Sequence, residues 1–416
     1  MKKLAAIILL VIAAAALPAQ QAEIKVPLRF DKYYELDQVY EALRALHKAY
    51  PQLTTLETVG KSEEGRPLMA MTVNNPKTGA ALDKPGMYVD GNMHGNEIQG
   101  GDISLYLLDY LLGQYGKNPE VTGLVDRVCF YVVPVVNVDG RFHFLTDPNT
   151  PDSNRSLRIP TDDDRDGLVD EDAPDDLDAD GNICAMRRKD PFGPFRTDPE
   201  EPRLMVRVRP GEKGEWALLG DEGVDNDGDG QVNEDSEGFV DPNRNWGFDW
   251  APPYVQGGSG EYPFSGTGLK GLAEWTMTKT NIVFVWSYHN SGGMILRGPS
   301  RKGLGEYPAQ DLAVYDFLGK QGERIIPGYR YLISWKDLYT TYGDSGEWAT
   351  QTLGSYFYCA EVFAAESEAF KGASERPEPG TRGEEAVRDI FSGGVSERER
   401  LKFSDSVVQG ELYKPW

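Results

Sequence analysis

Apolar positions recur along the chain in two rhythms. Over residues 34–50, Leu36, Val39, Tyr40, Leu43 and Leu46 fall on one face at helical spacing, and Pro51 ends the run. Residues 68–73, 86–90, 127–136, 281–288 and 355–363 are instead short, nearly continuous runs rich in Val, Ile, Tyr and Phe, the pattern of strands buried on both faces. Helical patterns over 98–115, 269–280 and 309–324 lie between several of them. Strands alternating with helices predict an α/β fold, a single domain with a mixed, mostly parallel central sheet flanked by helices. Such sheets bind ligands beyond the carboxyl ends of their strands, so the polar residues that follow these runs are where chemistry is expected.

The amino terminus breaks the pattern. Met1, Lys2 and Lys3 precede an apolar run over 4–17 with small residues Ala16 and Ala19 near its end, which reads as a secretory signal over 1–19. The run is shorter than the roughly 20 residues a spanning helix needs. The expected protein is therefore secreted, periplasmic or extracellular, and free of the membrane after cleavage. Cys129, Cys184 and Cys359 allow at most one disulfide. Because Cys129 and Cys359 sit in apolar runs, they read as core residues, and no bridge is expected.

Composition adds a localised charge. Of 416 residues, 40% are hydrophobic and 26% charged, which excludes collagen-like, disordered and multi-span membrane chains. The net charge of −23 argues against a nucleic-acid partner. Residues 161–182 carry eleven acids against one Arg and residues 221–237 carry eight acids and no base, so these two stretches hold −18 of the −23. Both lie in a segment, 146–241, with little apolar periodicity, which reads as a loop insertion that something else must order. Within it, residues 162–172 align without gaps on 225–235 with seven of eleven positions identical, and 176–181 is a partial third copy. Carboxylates at alternate positions followed by a turn glycine suit a hard cation. Asp162, Asp164 and Asp166, and Asp225, Asp227 and Asp229, are thus candidate ligands for structural calcium, resembling the Asp-x-Asp-x-Asp-Gly loops of extracellular calcium-binding repeats. A full EF-hand would need Glu at loop position 12, where the second copy has Ser236; Glu234, Asp235 or a residue elsewhere could supply that ligand instead.

The chain has four histidines. His94 follows the run at 86–90, with Glu97 three residues on, and His289 ends the run at 281–288. Two imidazoles and a carboxylate leave one tetrahedral position open, the pattern of catalytic rather than structural zinc. His47 reads as a surface residue of an amphipathic helix, and His143 has no evident partner. Glu361 stands alone in the apolar run at 357–363. A carboxylate there needs a cationic partner or a raised pKa, and a general base beside a zinc site satisfies both.

Taken together, His94-Gly95-Asn96-Glu97, Asn137-Val138-Asp139-Gly140, Met186-Arg187-Arg188-Lys189, Asn243-Arg244-Asn245-Trp246, Ser287-Tyr288-His289, the segment 338–348 and Glu361, preceded by Gly-x-Ser-x-Glu-Gly-Arg at 60–66, resemble the ordered motifs of the zinc metallocarboxypeptidases of the carboxypeptidase A/B type. The resemblance covers about residues 30–363. It implies that His94, Glu97 and His289 hold one zinc ion, that Glu361 activates water, and that Arg188 stabilises the oxyanion, with Arg187 as the alternative. It further implies that Asn243 and Arg244 hold the terminal carboxylate of a peptide substrate and that Tyr339 closes over it, with Tyr342 as the competitor. On this reading residues 20–365 form the zinc carboxypeptidase domain, with the insertion at about 146–241, and 366–416 a tail. Gly346 stands where relatives often display the residue that reads the last side chain, so no side-chain preference follows. The alternatives are the same metal site acting on another amide, such as cell-wall peptides, and a noncatalytic, calcium-stabilised binding module.

Overall fold

The computed structural model describes residues 25–148, 154–162, 166–200, 202–235 and 238–362. The expected signal segment, the tail and Asp164 lie outside the described residues. An eight-stranded sheet runs in the order β1 (Thr54–Lys61), β2 (Pro67–Val73), β4 (Cys129–Val133), β3 (Gly86–Gly91), β9 (Ile282–Asn290), β12 (Tyr356–Val362), β10 (Met294–Arg297) and β11 (Arg330–Ile333). The middle of the sheet, β4-β3-β9-β12, is parallel throughout, and antiparallel pairings on either side make it mixed, as expected. Helix α1 (Leu36–Ala49) buries the stripe read from the sequence, and α2 (Ile98–Gln114) packs on β3 and β9. The helix α3 (Pro119–Arg127) leads into β4, α4 (Val138–Thr146) follows it, α5 (Thr267–Met277) packs against β1, and α6 (Ala309–Ile325) against β10 and β11. No helix among the described residues is long and apolar enough to cross a membrane.

The five strands expected from continuous apolar runs are present. The run at 127–136 is shortened to five residues because Pro134 follows it. The edge strand β1 went unpredicted because it is half exposed and alternates weakly; β10 and β11 are only four residues each.

The insertion is not structureless. It carries its own antiparallel sheet in the order β5 (Ala185–Lys189), β8 (Trp216–Asp221), β6 (Phe195–Thr197) and β7 (Met205–Arg207). These strands are short and mostly exposed, so no apolar period marks them. Their anchor is Trp216, whose ring lies under the Arg187 guanidinium at 4.5 Å and the Lys189 ammonium at 5.6 Å.

Two sequence motifs prove to be braces. Asp139, buried at the start of α4, accepts from Ser62 Oγ (2.7 Å), the Glu64 backbone N–H (3.2 Å) and Arg66 Nη1 (2.7 Å). The Gly-x-Ser-x-Glu-Gly-Arg segment thereby fixes the first turn of α4. His143, for which no partner was expected, pairs with Glu64 and Asp147, both at 2.7 Å.

Candidate metal centre

The three central parallel strands deliver the centre at their carboxyl ends. In register, Glu361 of β12 faces His289 of β9, and Tyr288 faces Gly91, the last residue of β3. The chain then turns through Asn92 and Met93 to His94, and Glu97 becomes the cap residue of α2. Gly91 must be glycine: a Cβ there would lie 2.4 Å from the Gly100 carbonyl carbon of α2.

His94, Glu97 and His289 are all buried and converge. His94 Nδ1 is 2.8 Å from Glu97 Oε1, His289 Nδ1 is 2.9 Å from Glu97 Oε2, and the two Nδ1 atoms are 3.2 Å apart. Tetrahedral zinc with bonds of about 2.0–2.1 Å needs donors about 3.3 Å apart. The spacing fits. Asp241 Oδ1, 3.0 Å from His94 Nε2, is placed to keep the ring proton on that nitrogen and so free Nδ1 to ligate a metal. Burial would lower the basicity of His94, but Glu97 and Asp241 outweigh it and hold it above its ordinary value. Burial likewise works against the charges of Glu97 and Asp241, yet the imidazoles, joined at Asp241 by Arg244 and Arg155, hold both well below the carboxylate range. Two imidazoles converging on one ionised carboxylate make a donor set that a divalent cation would complete.

An open cleft spreads from this centre, and Asn243, Arg244, Tyr339, Gly346 and Glu361 all line it. Glu361 is pushed up to about 8 by burial first and Glu97 second, against His289, Arg155 and Arg244; its Oε2 is buried without a hydrogen-bond partner. Arg244 is buried, donates to the Asn243 carbonyl at 2.7 Å and forms no ion pair among the described residues. Asn243 is oriented by the Ser345 N–H, which donates to Oδ1 at 2.9 Å. Tyr339 remains 38% exposed at the mouth, and burial raises its pKa. Tyr342 lies outside the lining, under the Arg301 guanidinium. At Gly346 a Cβ would meet the Phe357 ring at 2.6 Å, so that ring fills the space a larger residue would use.

Arg188 is not in the cleft. It is exposed on β5, paired in register with Ala217 of β8, and Arg187 lies over Trp216; the insertion carries this motif onto its own sheet. Besides Arg244, the cation that lines the cleft is Arg155. It and Asp241 went unnoticed in the sequence; only Asp241 had a signal there, as the acid two residues before Asn243-Arg244 that a ligating imidazole requires.

In the acidic insertion the two repeats meet end to end. Asp172 and Asp235, their equivalent last residues, form an antiparallel bridge and are 0% exposed. Contacts are reciprocal: the Asp170 N–H donates to Asp235 at 3.0 Å and the Asn233 N–H to Asp172 at 3.1 Å. Asp225, Asp227 and Asp229 approach one another, as do Asp166, Glu171 and Asp227, and Asp172, Asp227 and Glu234. Asp162 accepts from the Gly167 N–H and joins no such cluster among the described residues.

Comparison with known proteins agrees with this geometry. Mouse carboxypeptidase M is 32% identical over 123 residues, 30% of this chain and 28% of that protein. Duck (Anas platyrhynchos) carboxypeptidase D is 41% identical over 99 residues, 24% of this chain and 7% of that protein. The chain thus spans well under a third of these curated relatives. The crystal structure of carboxypeptidase A from Helicoverpa armigera shares the fold, with a TM-score of 0.53, 19% identity, and coverage of 96% of this chain and 79% of that one. The zinc carboxypeptidase family profile matches residues 39–167 and 224–375, leaving out the core of the insertion. These segments make up more than half of the chain, which therefore belongs to the zinc carboxypeptidase family.

Proposed function

We propose that the protein is a secreted metallocarboxypeptidase that hydrolyses the last peptide bond of peptides bearing a free terminal carboxylate. The observation that carries this is the pairing, in one cleft, of a converged His94-Glu97-His289 donor set with a buried guanidinium, Arg244, that has no acid partner among the described residues. Held by those three residues, zinc would supply a Lewis acid that polarises the scissile carbonyl and makes water acidic. Arg244 and Asn243 bind the substrate carboxylate, for which a guanidinium fork is matched. Glu361, whose burial raises its affinity for a proton, acts in its ionised form, taking a proton from the attacking water and returning it to the leaving amine. Tyr339, at the mouth, closes over the substrate and excludes water.

The basic segment and short apolar run at the amino terminus support export. The paired acidic repeats support structural calcium, with Asp225, Asp227 and Asp229 as the best-formed set and Asp162, Asp164 and Asp166 as the companion loop.

Free amino acid release is the test, measured on matched free-acid and amidated peptides with and without a zinc chelator. Chelator-sensitive release from free acids alone is expected, and Arg244→Ala should weaken that reaction about 10- to 100-fold, the worth of a charge-assisted hydrogen bond. Equal release from amidated peptides would remove Arg244 from this role. No release by a zinc-loaded protein would move the reading to a different amide.

A further inference from the structure

The insertion keeps its two signs of charge apart. Residues 185–213 hold eight Lys or Arg against five acids, net +3, between the stretches that carry −10 and −8. Three of these cations share one face of the small sheet. Arg187 pairs in register with Leu218, Lys189 with Trp216, and Phe195 with both Trp216 and Arg207, and residues paired across strands lie on the same face. The stacking follows that register: Arg187 and Lys189 lie over Trp216, and the Arg207 guanidinium lies 5.1 Å from the centre of the Phe195 ring. All three cations are exposed, and none forms an ion pair among the described residues. The acids on either side turn to their own loops instead. Asp178, Asp180, Asp225 and Asp229 are exposed and accept from backbone and side-chain amides within their own repeats.

Apolar side chains stand among both kinds of charge. Leu168, Val169, Leu177, Val224 and Val232 are exposed beside the acids. Leu218 is exposed on the cationic face, and Phe192, at the turn between β5 and β6, is 95% exposed. Apolar positions ringed by unpaired charge are the anatomy of a contact with another protein, in which the apolar groups lose water and the charges set the orientation.

The chemistry of that partner follows by comparing what each class of ligand would satisfy. A metal ion answers the acids alone. An anionic polymer answers the cationic face alone, and the acidic stretches that flank it in the chain would repel it. A second copy of this chain answers all three features. It brings an acidic lobe to the cationic face and a cationic face to the acidic lobe, and a two-fold axis makes that contact twice.

We infer that the insertion is a self-association surface, on which the Arg187-Lys189-Arg207 face of one copy docks against the acidic repeats of a second. No residue of the metal centre takes part, so association and peptide hydrolysis can fail separately.

The test is the mass of the full-length protein by sedimentation equilibrium over a range of concentrations, with calcium held constant. Wild type should pass from monomer to dimer, and the association should weaken at least about tenfold between about 0.1 M and about 1 M salt, as the Debye length falls from about 10 Å to about 3 Å. Arg187→Glu combined with Lys189→Glu, and separately Asp178→Lys combined with Asp180→Lys, should each leave a monomer. Mixed one to one, these two variants should recover the dimer, since the reversed surface of each then meets its opposite on the other; variants that had merely misfolded would not. Wild type that stays monomeric at every concentration, a dimer indifferent to salt and to both reversals, or a mixture of the two folded variants that stays monomeric would each overturn the inference. Binding of inorganic polyphosphate by a monomeric wild type, lost in the Arg187→Glu, Lys189→Glu variant, would overturn it in favour of an anionic polymer.

Discussion

Glu361 combines two demands at one residue: it must be buried near the centre, and it must ionise to act. Without zinc, burial and Glu97 push it up to about 8, against an ordinary 4.5. The folded chain then holds a proton that the unfolded chain releases. Stability from that proton is complete below about 4.5 and is lost as pH rises through about 8. Removing the carboxylate should abolish this component alone, since His94, whose raised pKa acts in the same direction, is common to both proteins. In thermal melts of chelated protein, wild type should therefore lose more stability than Glu361→Gln between pH 5 and pH 8; parallel curves would mean that Glu361 is not held protonated. Zinc beside Glu97 cancels the repulsion that raises Glu361, so the loaded enzyme has its base ionised nearer neutrality. There Glu361→Gln should retain zinc and lose at least about a hundredfold in turnover.

Among the elements, legibility followed continuity. Strands β3, β9 and β12 read plainly because each opens as a nearly continuous apolar run, even though one face of β9 is only partly covered, and the residues at their ends, His94, His289 and Glu361, inherited that clarity. Arg188 misled because motif order along a chain does not register that an insertion has folded into a sheet of its own. Arg155 was hidden because its segment has no period. The braces make this testable. Asp139→Ala would strand Ser62 and Arg66 beside a buried gap and should cost about 2–4 kcal/mol of stability in denaturant unfolding, within the range for a broken buried network.

At the scale of the whole molecule, a nearly neutral α/β body carries an intensely acidic insertion, and the two have different sources of order. The body buries one large apolar cluster around the sheet. The insertion buries acids: Asp172 and Asp235 are sealed where the repeats meet, and Glu171 and Glu234, each against the other repeat's last carboxylate, are pushed up to about 7 by burial first and by that neighbour second. Like charges so disposed oppose the fold unless protons or cations neutralise them. Protons cannot do so far above pH 7, and calcium can. A calcium-selective chelator at pH 8 should therefore lower the melting temperature, a site held at about 100 times its Kd being worth roughly 2.7 kcal/mol, while bound zinc stays stoichiometric. At pH 5, where Glu171 and Glu234 hold their protons, the same chelator should shift the melt less. An unchanged melt at both pH values would mean that the internal hydrogen bonds of the repeats suffice, and the acidic loops would then need another explanation than a bound cation.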